Sequence, residues 1–119
     1  MIERRKSPRI QAEFWIHLQL ENNLSQAIAF VKNISKGGMF FQTKELMGPN
    51  DRAEIFFRLP EQKEGAEYRV TGQVVHLEVS DDLDTRKPVY GAGIKFMSID
   101  PSAQEAIDQF IARHRKDIS

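Results

Sequence analysis

Two short clusters hold the side chains best suited to chemistry. The first is at the start of the chain, where Arg4, Arg5, Lys6 and Arg9 face only Glu3 within residues 1–9. Arg5 and Arg9 are spaced R-x-x-x-R. A guanidinium can make two-pronged bonds to phosphate and to the O6/N7 edge of guanine. The second cluster is NISKGG, residues 33–38. Asn33 offers an amide that donates and accepts, and Ser35 offers a hydroxyl, so this stretch can bind without net charge. Gly37 and Gly38 permit positive φ and a close approach of backbone to a partner. The chemistry that these residue types suit is recognition rather than bond-making.

Bond-making motifs are missing. His17, His76 and His114 fall in two strands and a helix with no H-E-x-x-H spacing, and they read as structural or surface residues. Asp81, Asp82 and Asp84 lack the glycine and distal glutamate of a calcium loop. No G-x-S-x-G elbow and no G-x-x-x-x-G-K-(S/T) phosphate loop occurs. The expectation is a protein that is not an enzyme and needs neither cofactor nor metal. The 119 residues include no cysteine, which removes disulfides and thiolate chemistry and suits a cytoplasmic setting. No apolar run is long enough to span a membrane, so no membrane insertion is expected. The formal net charge is +0, which argues against a nucleic acid polymer as partner. A basic arm on a neutral body suits a small anion, although such an arm can equally be a solvated tail. The Asn-x-Ser before Gly-Gly can equally be a plain turn.

These residues need elements to position them. Residues 14–20 alternate with period two and read as a strand. Further strands are expected at 26–32, 39–43, 53–59, 68–79 and 90–97, with a bend or bulge at Gly72. From Pro101 the period becomes helical, with Ala103, Ala106, Ile107, Phe110, Ile111 and His114 on one face. Ser102 with Glu105 fits a capping box, and Asp100-Pro101 is the rival start. Six short strands and then a helix predict an all-β fold, a six-stranded antiparallel β-barrel with a C-terminal helix. The expected organisation is one domain: an N-terminal arm at 1–12, a barrel at 13–97 and a helix at 101–116. Phe14, Ile16, Phe30, Phe40, Ile55, Phe57, Val74 and Phe96 are the expected core. Trp15 alternates away from them, to be partly exposed or to meet the helix. A hairpin of the first two strands would set the arm beside the Asn-Ser-Gly turn.

Together the motifs resemble those of the PilZ domain family. RKSPR (Arg5 to Arg9) matches its R-x-x-x-R, NISKGG matches its (D/N)-x-S-x-x-G, and YGAGIKF (90–96) resembles its final barrel strand. The resemblance implies a barrel that binds the second messenger cyclic di-GMP. It assigns Arg5 and Arg9 to guanine edges and phosphates, and Asn33, Ser35 and Gly38, with Gly37 beside it, to the other guanine. Arg4 takes the position that influences whether one messenger or a stacked pair is bound. Asn33 stands where Asp is commoner, so an acceptor is kept but not its charge. The implied protein is a small adaptor whose arm becomes ordered on binding and relays the signal to an unidentified effector protein. The competing expectations are a barrel that binds only proteins and a small RNA-binding barrel. A missing basic stripe outside the arm counts against the latter.

Overall fold

A computed structural model describes residues 9–21, 25–60 and 66–118, with the backbone alone for 115–118. Six strands, β1 (Ile10–Leu20), β2 (Gln26–Ser35), β3 (Gly38–Thr43), β4 (Arg52–Phe57), β5 (Tyr68–Asp81) and β6 (Pro88–Ile99), precede helix α1 (Pro101–Ile118). All neighbouring strands are antiparallel, and they close in the order β1-β2-β3-β6-β5-β4. The seam is β1 against β4, from His17 opposite Phe56 to Leu20 opposite Ala53. Closure removes the sheet edges that an open sheet would leave unpaired.

Alternation decides what enters the barrel. In β1 every second residue from Ile10 to Leu20 is buried, and the residues between them face out. Ile16, Leu18, Val31, Ile34, Met39, Phe41, Ile55, Val70 and Val74 fill the interior, each almost wholly removed from water. Burying a side chain of this size contributes about 1.5–3 kcal/mol. Ala103, Ala106, Ile107, Phe110 and Ile111 of α1 enter the same core, so the expected apolar face of the helix is the docked face.

Three expected core residues are not fully buried. Phe30 and Phe40 are half-buried on the outer face, and the buried residues of their strands are Ala29 and Val31, and Met39 and Phe41, whereas Phe96 shares the inward face of Ala92 and Ile94 and packs, partly buried, against the core. Where both faces of a strand are apolar, alternation alone does not say which is inside. The outward phenylalanines find other partners. Phe30 lies opposite Trp15, their ring centroids 4.9 Å apart, and Trp15 stays 64% exposed. Trp15 therefore does not meet the helix.

One boundary also moves, and the start of the helix is settled between its two candidates. Strand β1 begins at Ile10, so residues 10–12, expected in the arm, belong to the barrel because Ile10 and Ala12 are buried. The helix starts at Pro101 rather than at the Ser102 box, and Gln104 N–H donates to the Asp100 carbonyl at 2.9 Å. Proline suits the first helical position, where its missing N–H is not needed. The bulge expected at Gly72 is present as a register shift between Thr71 and Gly72.

Candidate functional site

The β1–β2 ladder brings Arg9, the last residue of the first motif, and the second motif to one end of the barrel. Ile10 pairs with Ile34 and Gln11 with Asn33, so exposed Arg9 emerges beside the strand end that carries Ser35. This is the juxtaposition expected of the hairpin. Arg4 and Arg5 lie outside the described residues.

Asn33 occupies an irregular point of the sheet. Val31 pairs with Phe41 and Asn33 with Phe40, so Lys32 is an extra residue between two regular pairs. The extra residue breaks the alternation: Ala29 and Val31 point in, as does Ile34, while Lys32 and Asn33 are both only partly buried. Bulges commonly re-aim a side chain in this way. The Asn33 Oδ1 atom is buried and has no hydrogen-bond partner among the described residues. An unmet buried acceptor costs about 1–3 kcal/mol, so an N–H donor arriving there would be favoured.

The turn after β2 is held from outside. Ser35 pairs with Gly38, and Lys36 and Gly37 form the loop between them. The Phe96 N–H donates to the Gly37 carbonyl at 2.8 Å, and Gln104 Nε2 on α1 donates to the Lys36 carbonyl at 3.3 Å. Buried Ser35 donates through Oγ to the Gly38 carbonyl at 3.4 Å. The positive φ expected of the glycines is not adopted by either. Strand β6 and the helix hold the two loop carbonyls, so the turn forms without left-handed glycine. Gly38 is needed for a different reason: a Cβ there would collide with the Ile94 carbonyl oxygen of β6. A Cβ on Gly37 would meet no atom within 4 Å.

The rim of the turn is basic. Lys36 stands in the loop and Lys95 opposite Gly38, both exposed, and with Arg9 they surround the Asn33–Ser35 segment with positive charge. Sequence reasoning from Asn33 and Ser35 alone gives a neutral patch and misses these lysines. Lys32 precedes the motif and Lys36 lies within it, in the run KNISK, which is a usable signal; Lys95 comes near only through the β3–β6 pairing. A row across the outer face continues from Asn33 through Phe40 and Gly93 to His76, whose Nε2 lies 3.3 Å from Glu78 Oε2. No cluster of potential metal ligands occurs among the described residues. No described helix is long and apolar enough to cross a membrane. Further along the same outer face, Trp15, Ile28, Phe30, Gln42, Lys44 and Val89 line a groove of about 670 Å³. It is apolar and separate from the Asn33–Ser35 turn, whose residues do not line it.

The family model of the PilZ domain matches residues 3–113. Among solved structures, the chain is similar to the Bacillus subtilis inhibitor of motility MotI/DgrA, with TM-score 0.76 and 20% identity over 98% of this chain and 53% of that one. It is similar to the PilZ domain of YcgR from Escherichia coli, solved with c-di-GMP, with TM-score 0.72 and 15% identity over 98% and 95%. It is also similar to the K. pneumonia MrkH–c-di-GMP complex, with TM-score 0.73 and 19% identity over 98% and 55%. The chain thus spans about half the length of the MotI and MrkH chains. No curated protein matches it by sequence at a significant level.

Proposed function

Because this chain belongs to the PilZ domain family, we propose that it is a cyclic di-GMP receptor whose site is the Asn33–Ser35 turn closed by the N-terminal arginines. The observation that carries the reading is the buried Oδ1 of Asn33, which has no partner among the described residues and lies, by the β1–β2 register, beside the end from which Arg9 emerges. Guanine presents N–H donors on its Watson–Crick edge, and a carbonyl acceptor is what they need. Arg5 and Arg9 take the phosphates and the O6/N7 edge of guanine, where planar guanidinium forks fit best. Asn33 and Ser35 hold the other guanine, and the backbone at Gly37 and Gly38 lets it approach. Arg4 stands where it can stack on a second messenger molecule. The basic rim of Lys36 and Lys95 favours a ligand with two negative phosphates. YcgR and MrkH, similar in fold, were both solved with c-di-GMP.

The same proposal makes the protein a cytoplasmic adaptor: capture of the messenger by residues 1–9 builds a new surface that an effector protein reads. One observation favours a second reading, a barrel that binds proteins without nucleotide: the exposed apolar groove at Trp15, Ile28 and Phe30.

Isothermal titration with cyclic di-GMP, with GMP and cyclic di-AMP as controls, separates the two. Saturable binding of cyclic di-GMP alone supports the receptor, and a ratio near two per chain supports the role of Arg4. Arg5→Ala and Arg9→Ala should each weaken binding about tenfold to a hundredfold, the worth of a charge-assisted pair, with an unchanged circular dichroism spectrum. Unchanged affinity in both variants removes the site assignment, and no binding at all leaves the protein-only barrel.

A further inference from the structure

The irregular step that re-aims Asn33 also brings a lysine to its side. Lys32 and Asn33 are consecutive, yet both lie on the outer face because the alternation breaks between them. Lys32 Nζ is 3.3 Å from Glu13 Oε2, and its side chain and that of Glu13 are 40% and 48% exposed. Glu13 lies at the matching irregularity of β1, between the Gln11–Asn33 and Phe14–Val31 pairs. Nζ also stands 5.3 Å from the centroid of the Phe30 ring. A ring face beneath an ammonium attracts it whether or not a carboxylate is near. Across β3, Asn33 and Phe30 are paired with Phe40 and Gln42, neither of them charged. Glu13 is therefore the carboxylate that neutralises Lys32 among the described residues.

We propose that Lys32 is a further phosphate-binding residue of the cyclic di-GMP site, and that Glu13 is its resident competitor in the empty protein. This rests on the receptor reading above. An exposed ion pair such as Lys32–Glu13 is weak, typically 0–1 kcal/mol, so a phosphodiester oxygen brought in by the arginines and Asn33 can replace the carboxylate. Phe30 keeps the ammonium in place while its partner changes. Nothing in the NISKGG motif marks Lys32, which precedes it; the sheet irregularity does.

A double-mutant cycle tests the exchange, with cyclic di-GMP affinity measured at about 0.15 M salt, where remote charges are screened beyond about 8 Å. Lys32→Gln should weaken binding about threefold to tenfold. Glu13→Gln should tighten it, up to about fivefold, the equivalent of the pair it releases. The decisive variant is Glu13→Gln in the Lys32→Gln background, where no change is expected because the competition has lost its object. An equal gain in both backgrounds makes Glu13 a mere negative charge near the site and overturns the proposal. So does an unaffected Lys32→Gln. If the wild-type chain takes up no cyclic di-GMP, the receptor reading falls and this proposal with it; binding by the wild type with a cycle that is flat or additive overturns this proposal alone.

Discussion

At the scale of single residues, the motif separates into positions proposed to bind and positions that allow the fold. Gly37 and Gly38 are adjacent and alike in sequence, but their surroundings differ. A methyl on Gly38 would strike the Ile94 carbonyl oxygen, a backbone atom that cannot turn aside, whereas a methyl on Gly37 would enter open space. Gly38→Ala should therefore destabilise the protein by at least about 2 kcal/mol, as overpacking of a tight contact does, and Gly37→Ala should leave stability within about 0.5 kcal/mol. Urea unfolding of the two variants checks this. Any effect of Gly37→Ala then appears in the ligand titration alone, which makes it the cleaner probe of how closely guanine approaches the turn. Asn33 is the converse case. Its acceptor has no described partner inside the protein, which is the mark of a residue placed for something outside it.

At the scale of elements, sheet irregularity and helix docking do what motif spacing alone could not. The extra residue Lys32 turns Asn33 outward, and α1 reaches the site through the bond from Gln104 to the Lys36 carbonyl. The turn of the site is thus fastened to both β6 and the C-terminal helix. The β5–β6 connection provides a separate element-scale test. Asp82 Oδ1 accepts a hydrogen bond from the Asp84 N–H at 2.9 Å, and Lys44 Nζ lies 3.6 Å from Asp82 Oδ2. The backbone bond from Asp84 first, and the Lys44 charge next, hold the Asp82 carboxyl below its ordinary value of 3.8. A lowered folded value means that the contribution is present above the ordinary value and is lost as pH falls through the folded value. Carboxyl NMR should show Asp82 titrating below its ordinary value. Hydrogen exchange at the Asp84 amide should rise, relative to its neighbours, only once that titration begins. Asp82→Asn should abolish the pH dependence; titration of Asp82 at the ordinary value would count against the turn as described.

At the scale of the whole molecule, a closed barrel with its apolar interior shared by one helix leaves the outer face free for binding. Every strand of the closed barrel has a neighbour on each side, so ligands and partners meet side chains more readily than they extend the sheet. The molecule has a formal net charge of +0, yet the cations Arg9, Lys36 and Lys95 stand around one turn. Such an uneven field attracts a small dianion without making the protein a general polyanion binder. A ligand that binds only the folded state raises its stability by mass action, about 2.7 kcal/mol at a hundredfold excess over Kd. Cyclic di-GMP at that excess should raise Tm on the order of 10 °C for a chain of this size, and GMP should not. Scanning calorimetry with both nucleotides checks this, and equal shifts would argue for non-specific anion binding.

The strands were readable in the sequence because period-two alternation is a property of neighbouring residues. The helix was readable because its apolar face recurs every three to four positions. R-x-x-x-R and N-x-S-x-x-G were readable as a pair, and the hairpin between them predicted that Arg9 would stand beside the second motif, since a hairpin is a local structure. Which face of β2 and β3 enters the core was not readable. Phe30 and Phe40 are apolar, but so are their neighbours, and only closure of the barrel chooses between the faces. The left-handed glycine turn was expected from residue type and is absent, because the loop carbonyls are held by Phe96 and Gln104, residues about sixty positions away in the chain. Lys95 and the Lys32–Glu13 pair were likewise decided by strand register. Local periodicity is written in the chain, whereas register and bulges arise from many side chains competing for one small interior.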